Sequence, residues 1–274
     1  MSYGLPYKGS KNVCARTVCS ALPAGKRLVD LFAGGCAVTD CALREFSGKW
    51  KTVLANDANP EPVGLYAKCL CGECPVSDKW VGRDDFPSAD WATRLIWSFG
   101  NDTRTYLYGR DVEPQKRRIH EWIVSGAQSD GLPALPTRAM RYDWTRGHVR
   151  HQSLESLERL ERLERLEGLE RLEISVLDFR RYAWRDGDVV YCDIPYESTA
   201  CGQYSPEFDR AAFLSWALSV PFGVYVSERT VPDGFRVVAT IPMPNRANRA
   251  GIDGFKTEYL LWNGKGNRVC PLGF

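Results

Sequence analysis

The sequence predicts an α/β fold in which a mixed, mostly parallel sheet is flanked by helices and the active site lies at the carboxyl ends of the strands. Three apolar runs, at 28–32, 52–55 and 189–192, predict it. The first is followed by a turn of small residues and a helix-like stretch, the second by an acid, and the third by an acid, a proline and an aromatic residue. Strands that end in such turns are typical of nucleotide-binding folds.

The first run carries Asp30, and a helix is predicted over 38–46. The turn between them follows Phe32 and consists of small residues: Ala33, Gly34, Gly35 and Cys36. Because small side chains let a ligand approach the backbone closely, this turn is expected to hold a cofactor.

The second run is followed by Asn56 and Asp57. A carboxylate about 20 residues beyond a glycine turn typically accepts hydrogen bonds from ribose hydroxyls. These two segments could bind either a dinucleotide or the methyl donor S-adenosyl-L-methionine. The third segment favours S-adenosyl-L-methionine.

The third run ends in Asp193, Ile194, Pro195 and Tyr196. The lone pair of an exocyclic base nitrogen is delocalised into the ring, so this nitrogen becomes nucleophilic only when its protons are held by fixed acceptors. Asp193 and the carbonyl oxygen of Ile194 are candidate acceptors, and Tyr196 offers a face on which an extruded base can stack. Taken alone, the tetrapeptide also fits an ordinary strand and turn.

With these segments in this order, the chain resembles DNA adenine N6-methyltransferases of the Dam-like group. Tyr7 to Lys11 resembles the N-terminal cofactor motif of that group, 224–228 its following strand, and 256–262 its last strand. The resemblance implies a Rossmann-like fold, transfer of a methyl group from S-adenosyl-L-methionine to N6 of a flipped-out adenine in double-stranded DNA, and no metal. The catalytic residues that it implies are Asp193, Ile194, Pro195 and Tyr196. The implied cofactor-binding residues are Tyr7, Lys11, Asp30, Phe32, Ala33, Gly34, Gly35, Cys36, Asp57, Asp178, Phe179 and Asp193.

The chain departs from the group's pattern at two positions. Cys36 stands where a second glycine is usual, and Ile194 stands where a first proline is usual. Activity is expected to survive the second change, because the contact made there belongs to a backbone carbonyl.

Four regions are predicted: a cofactor-binding half over 1–79, a target-recognition region over 80–150, a repeat insert over 151–173 and a catalytic half over 174–274. In the insert, leucine recurs every third residue among Glu and Arg. Pairs in which a Glu precedes an Arg by four residues stabilise helices, so they predict a helix here. A spacing of three disfavours a heptad coiled coil, because the leucine stripe drifts around the helix. A low-complexity insert without chemistry of its own is the favoured interpretation.

The net charge of +2 does not itself indicate a nucleic-acid partner, so DNA contacts are expected from local basic clusters at 138–150 and 236–268. The expected DNA-binding residues are Lys8, Arg138, Arg141, Arg246, Asn248 and Arg249. A further group in the target-recognition region either reaches DNA or forms core, with core favoured for each aromatic residue. It comprises Trp97, Phe99, Asn101, Arg104 and Tyr106.

No apolar run reaches the roughly 18 residues of a membrane span, so a soluble, cytoplasmic protein without membrane contact is expected. The ten cysteines are scattered and are expected to be reduced. Cys69, Cys71 and Cys74 are crowded together, but a zinc site would need a fourth ligand. A restriction endonuclease is a possible partner, and the oligomeric state stays open. Cytosine N4 methylation, RNA adenine methylation and a catalytically idle DNA-binding relative remain alternatives.

Overall fold

The computed structural model describes residues 2–146, 151–163, 168–196, 208–244 and 255–266. Its internal contacts divide the chain into two compact units. The sheet unit comprises Met1–Leu5, Gly9–Ala67 and Leu166–Phe274, and the helical unit comprises Pro6–Lys8 and Lys68–Arg165. The region predicted over 80–150 therefore falls in the helical unit. The predicted DNA-binding residues Arg246, Asn248 and Arg249 lie outside the described residues.

The strands of the sheet are β1 (Arg27–Asp30), β2 (Thr52–Asn56), β3 (Leu172–Ser175), β4 (Asp188–Cys192), β5 (Val224–Glu228), β6 (Arg236–Pro244) and β7 (Phe255–Trp262). The helices are α1 (Ala15–Ala21), α2 (Ala37–Glu45), α3 (Pro60–Leu70), α4 (Trp91–Trp97), α5 (Glu113–Ser125), α6 (Arg138–Arg146), α7 (Gln152–Glu161) and α8 (Arg210–Ser219). Short 3₁₀ helices lie at Lys11–Val13, Phe86–Ser88, Phe99–Asn101, Leu169–Arg171 and Phe179–Arg181.

The seven strands form one sheet in the order β3-β2-β1-β4-β5-β7-β6. β1 to β5 are parallel, whereas β7 runs antiparallel to both β5 and β6. This confirms the predicted mixed, mostly parallel sheet. The chain turns in opposite directions on the two sides of β1, which makes the carboxyl end of β1 a topological switch point where ligands bind in such folds.

The register of the strands brings the predicted site residues to this edge. Asp30, the last residue of β1, is paired with Ala55 on one side and Tyr191 on the other. Asp57 and Asp193 each follow these partners by two residues, so both extend beyond the same edge of the sheet. A shared core supports the edge, since Val190 and other buried strand residues pack with the fully buried Phe213 of α8.

The repeat segment differs from its predicted single helix. Helix α7 ends at Glu161, and after a gap in the described residues Gly168 adopts a left-handed φ of 80°. From Leu172 the chain forms β3, which pairs with β2. The first half of the repeat is therefore helical, whereas its end forms a strand, because the ladder hydrogen bonds with β2 outweigh the helix preference of the sequence.

The basic cluster at 236–268, from which DNA contacts are expected, begins with strand β6. β6 pairs antiparallel with β7 along its length, with one irregularity between Val237 and Ala239. Residues 245–254, which follow β6 in the same cluster, lie outside the described residues.

In the helical unit, the aromatic residues of the target-recognition region divide into core and surface. Trp97 is fully buried, and its ring centroid lies 4.9 Å from that of Trp80. The prediction that it forms core is confirmed. Phe99, by contrast, is 66% exposed. Arg141 is also buried, with its guanidinium donating to the carbonyl oxygens of Ile123, Leu135 and Pro136, which contradicts the predicted phosphate contact.

No helix in the described ranges is long and apolar enough to cross a membrane. Within the same ranges, the His, Cys, Asp and Glu side chains form no group of three that could hold a metal ion. Cys69 is buried, Cys71 is exposed and Cys74 is intermediate.

A buried ion pair at the opposite end of β1 gives a prediction for stability. Arg27 donates from Nε and Nη2 to the two carboxylate oxygens of Asp188, both at 2.9 Å, and the side chains are only 6% and 2% exposed. Burial tends to raise the pKa of Asp188, but the hydrogen bonds from Arg27 and Tyr182 outweigh it and lower this pKa. Arg27→Met leaves the carboxylate buried without its main partner, so we expect the free energy of unfolding to fall by about 3 to 5 kcal/mol.

Chemical denaturation at pH 7 measures this loss. Lys26→Met is the matched control, because Lys26 forms an exposed pair with Asp186 at 2.8 Å and should change the free energy of unfolding by less than about 1 kcal/mol. Equal effects of the two substitutions would contradict the prediction.

Candidate active site

The turn after β1 is shaped by two left-handed residues and closed by Asp57. Gly34 and Cys36 have φ values of 46° and 58°. The Gly34 amide donates to Oδ2 of Asp57 at 2.8 Å, and the Asn59 amide donates to Oδ1 at the same distance. Burial raises the pKa of Asp57, while these two hydrogen bonds favour the carboxylate. Each carboxylate oxygen can accept a second hydrogen bond, so Asp57 can hold the turn and still bind ligand hydroxyls.

Asp30 is hydrogen-bonded to the first turn of α2, the helix that follows the same turn. Its Oδ2 accepts hydrogen bonds from the amide of Thr39 at 3.2 Å and from its hydroxyl at 2.8 Å, and the residue is 1% exposed. Burial raises the pKa of Asp30 to about 7. The structure therefore gives this predicted cofactor residue a positioning role at the start of α2.

The N-terminal segment packs directly on the turn, which the sequence did not reveal. The Leu5 amide donates to the carbonyl oxygen of Gly35 at 2.7 Å, and the Gly4 amide donates to Oδ2 of Asp40 at 3.0 Å. A Cβ at position 4 would lie 2.2 Å from the carbonyl oxygen of Gly35, and φ is +60° there. Only glycine fits this approach.

Asn56, also missed in the sequence, links the ends of three strands. Its Nδ2 donates to the carbonyl oxygens of Leu31 at 2.9 Å and Leu177 at 3.0 Å. Its Oδ1 accepts hydrogen bonds from Ser175 Oγ at 2.6 Å and the Leu177 amide at 3.0 Å. Because Leu177 directly precedes Asp178, this side chain fixes the segment after β3 relative to β1 and β2.

The predicted cofactor-binding residues Asp178 and Phe179 follow Leu177 directly. Asp178 pairs with Arg180 at 2.6 Å, and the hydrogen bond from Arg180 lowers the pKa of Asp178 to about 2. The ring of Phe179 lies 5.7 Å from that of Phe32. The Ala33 amide donates to the Asn56 carbonyl at 2.8 Å, which ties the same turn to β2.

The turn after β4 brings Asp193 and Tyr196 to Lys11. The Lys11 ammonium lies 2.7 Å from Oδ1 of Asp193 and 3.2 Å from Oε1 of Glu258, and it donates to the Tyr196 hydroxyl. The sequence grouped Lys11 with the cofactor-binding residues, whereas its ammonium contacts the turn after β4. Glu258, on β7, was not predicted to take part.

Burial and the neighbouring charges have opposing effects on the pKa values of Asp193 and Lys11. Burial raises the pKa of Asp193 to about 6, the Lys11 ammonium opposes the rise, and the charge of Glu258 adds to it. For Lys11, burial lowers the pKa, but the charges of Asp193 and its other neighbours outweigh burial and raise it. At neutral pH the pair is therefore a lysine ammonium against an aspartate carboxylate.

Arg229 is a second cationic side chain that contacts Tyr196. The Arg229 guanidinium carbon lies 4.5 Å from the ring centroid, within cation–π range. Ile194 is 2% exposed, and Pro195 and Tyr196 are half-buried.

Three remaining predicted residues lie in the helical unit. The ring of Tyr7 lies 6.2 Å from that of Trp91, and Lys8 is 3.9 Å from Asp102. Arg138 forms a half-exposed pair with Asp78 at 2.8 Å. Their predicted contacts with cofactor and DNA stay predictions.

Covalent attack on a base ring would need a reactive cysteine, and Cys192 is the cysteine that directly precedes Asp193. It is fully buried within β4, and burial raises the pKa of its thiol well above the usual value. Since the thiolate is the nucleophilic form, Cys192 is unsuited to attack a base.

The sheet order, with β7 reversed between β5 and β6, defines a Rossmann-like fold, and a carboxylate follows β4 at the ligand-binding edge of its sheet. Residues 7–207 match the family model of the D12 class N6 adenine-specific DNA methyltransferases. The chain belongs to this family and is a DNA adenine N6-methyltransferase.

Among curated proteins, the chain is similar to the Retron Ec67 DNA adenine methylase of Escherichia coli, with 24% identity over 222 residues. The similarity covers 76% of this chain and 68% of that protein. Two structures of the rRNA methyltransferase aviRa from Streptomyces viridochromogenes match 93% of this chain and 84% of theirs. Their identities are 14% and 13%, and their TM-scores are 0.38 and 0.39. At these scores the likeness adds nothing to the family match.

Proposed function

We propose that the protein methylates adenine N6 in double-stranded DNA with S-adenosyl-L-methionine as the methyl donor, and that the target base is turned out of the helix before transfer. The observation that carries the proposal is the buried contact of Lys11 with Asp193, which supports an ionised acceptor directly beside Tyr196.

The turn after β1 fits this cofactor. Asp57 keeps unused acceptor positions for ribose hydroxyls, and Gly34 and Cys36 bend the backbone without large side chains. Asp178 provides an acid for an adenine ring, whereas Phe179 is only 8% exposed and packs in the core against Phe32 and Phe213. When bound, S-adenosyl-L-methionine supplies a methyl group on a positively charged sulfur.

The residues of the catalytic turn act on the base amine. Asp193 accepts one N6 proton in a hydrogen bond, the Ile194 carbonyl accepts the other, and the nitrogen lone pair turns away from the ring. Tyr196 stacks on the extruded base and replaces part of its lost stacking. Once methylated, N6 must lose one proton, and the Asp193 carboxylate is a base within reach of that nitrogen.

Nucleoside mass spectrometry tests the proposed product. Unmethylated DNA incubated with the protein and S-adenosyl-L-methionine is expected to yield N6-methyladenine. N4-methylcytosine would change the target base, and methylation of RNA alone would change the substrate. Cofactor binding without methylation of either would favour an idle relative. Whether a restriction endonuclease accompanies the protein stays a prediction.

The cofactor site gives a separate prediction. Asp57→Ala removes the carboxylate that holds Gly34 and is proposed to bind ribose. Hydrogen bonds to charged groups contribute about 1.5 to 3 kcal/mol, so we expect affinity for S-adenosyl-L-methionine to fall about 10- to 100-fold. Isothermal calorimetry measures it, with the exposed Asp186→Ala as control. Unchanged affinity of Asp57→Ala would exclude the assigned role.

A further inference from the structure

We propose that Arg229 covers the face of Tyr196 on which the target base stacks, and that it moves off this face on substrate binding to hold a phosphate next to the extruded adenosine. This proposal rests on the proposed function and deepens it, because it gives the sheet unit a residue that positions the extruded nucleotide.

The turn that carries Arg229 follows β5, and the turn that carries Tyr196 follows β4. These strands are parallel neighbours, with Cys192 paired to Val226. Tyr196 lies four residues beyond this pair and Arg229 lies three beyond it, so both turns leave the sheet at the same carboxyl edge. Arg229 therefore reaches Tyr196 from a neighbouring strand within the sheet unit.

The two cations that contact the Tyr196 ring differ in their freedom to move. Lys11 donates to the hydroxyl of this ring. Its ammonium is buried and lies 2.7 Å from Asp193 and 3.2 Å from Glu258. The Arg229 guanidinium carbon lies 4.5 Å from the ring centroid, and this residue is exposed. Since a buried ammonium between two carboxylates stays in place, Arg229 is the cation that can leave the ring.

The exposed position of Arg229 also places it in the path of the base. A base that is turned out of DNA arrives from solvent, and an exposed side chain stacked on Tyr196 covers the ring on its solvent side. Stacking of a base on an aromatic side chain contributes more than a cation–π contact at an exposed site. The base can therefore displace the guanidinium from the ring.

The backbone next to Arg229 is held, so a displaced guanidinium stays near the site. The Arg229 amide donates to Oε1 of Glu228 at 2.7 Å, and Glu228 is 1% exposed. Oε2 of Glu228 accepts hydrogen bonds from Nε of Arg210 at 3.2 Å and from Nη2 at 3.1 Å. The side chain of Arg229 thus moves from a fixed point, within the length of one arginine from Tyr196.

A phosphate of the extruded nucleotide is the partner that fits the displaced guanidinium. A nucleotide carries its two flanking phosphates towards the protein together with its base, so they approach the same edge of the sheet. A guanidinium can donate two parallel hydrogen bonds to phosphate oxygens, and such charge-assisted bonds are stronger than neutral ones. Exchange of the ring for a phosphate therefore links the position of the backbone to the entry of the base.

DNA affinity on a duplex with one mapped target site tests the proposal, with S-adenosyl-L-homocysteine present so that no turnover occurs. Arg229→Ala is expected to weaken binding about 10-fold on the ordinary duplex. Neutral methylphosphonates in place of the two phosphates that flank the target adenosine should weaken binding by the unmodified protein. On that duplex, Arg229→Ala should bind within about twofold of the unmodified protein.

Arg185→Ala is the control, because Arg185 is exposed just before β4, at the opposite edge of the sheet, and should leave both affinities unchanged. An equal loss for Arg229→Ala on the two duplexes would overturn the phosphate contact. Unchanged or tighter binding of the ordinary duplex by Arg229→Ala would also overturn it, since Arg229 would then at most obstruct the ring.

The salt dependence of binding to a long duplex keeps the two hypotheses apart, because it needs neither turnover nor a mapped site. The slope of log affinity against log salt concentration should be smaller by about one for Arg229→Ala than for Arg185→Ala. Failure of the unmodified protein to form N6-methyladenine would contradict the proposed function alone. Equal slopes of the two variants would overturn the role of Arg229.

Discussion

Asp193→Asn is expected to lower the single-turnover rate of DNA methylation on the order of 10³-fold. Asparagine keeps the size of the side chain but loses the charge, and one acceptor oxygen becomes an amide donor that opposes the base amine. The Lys11 ammonium, 2.7 Å from the carboxylate, also loses its nearest counter-charge. Saturating S-adenosyl-L-methionine separates this effect from any contact that Asp193 makes with the cofactor.

The control for this measurement is Asp233→Asn, because Asp233 is exposed in the same unit. Thermal unfolding of both variants shows whether the fold is retained. An Asp193→Asn rate within a few-fold of the unmodified protein, with folding intact, would remove Asp193 from the catalytic role.

Lys11→Met is expected to produce the second-largest loss, about 10²-fold at neutral pH. Methionine fills a similar volume but leaves Asp193 and Glu258 without the cation between them. The Lys11 charge lowers the pKa of Asp193, so its removal raises this pKa further above about 6. Activity requires the carboxylate and is lost as the pH falls through its pKa, so the acidic limb of the rate profile should move to higher pH.

Single-turnover rates from pH 5 to pH 9 measure this shift. The exposed Lys51→Met is the matched control and should leave the limb in place. An acidic limb that stays in place or moves to lower pH in Lys11→Met would contradict the proposed charge balance.

The sequence predicted the strands that can be recognised from a short stretch of consecutive residues. β1, β2 and β4 lie within two residues of their predicted positions, because each is an apolar run that ends in a polar turn. Because Asp57 and Asp193 each follow one of these runs directly, the sequence also predicts that both lie at the carboxyl edge of the sheet. The sheet class and the family prediction are confirmed.

The residues that escaped prediction act through contacts between distant segments. Glu258 reaches the site only because β7 pairs with β5, and Asn56 matters only because β3 lies beside β2. Gly4 resembles any other glycine until its approach to Gly35 is known. Leu172 and Glu173 carry a helix-like composition, and their strand becomes evident only from pairing with β2.

The central claim is that an ionised Asp193 activates the adenine amine, and the pH dependence of Glu258→Gln tests it most directly. The negative charge of Glu258 raises the pKa of Asp193, so its removal should lower the pKa and move the acidic limb to lower pH, opposite to Lys11→Met. Single-turnover rates of N6-methyladenine formation on one duplex should show a limb near pH 6 for the unmodified protein and below it for Glu258→Gln. A limb that does not move, or that moves to higher pH, would contradict the claim that Asp193 is the ionised acceptor.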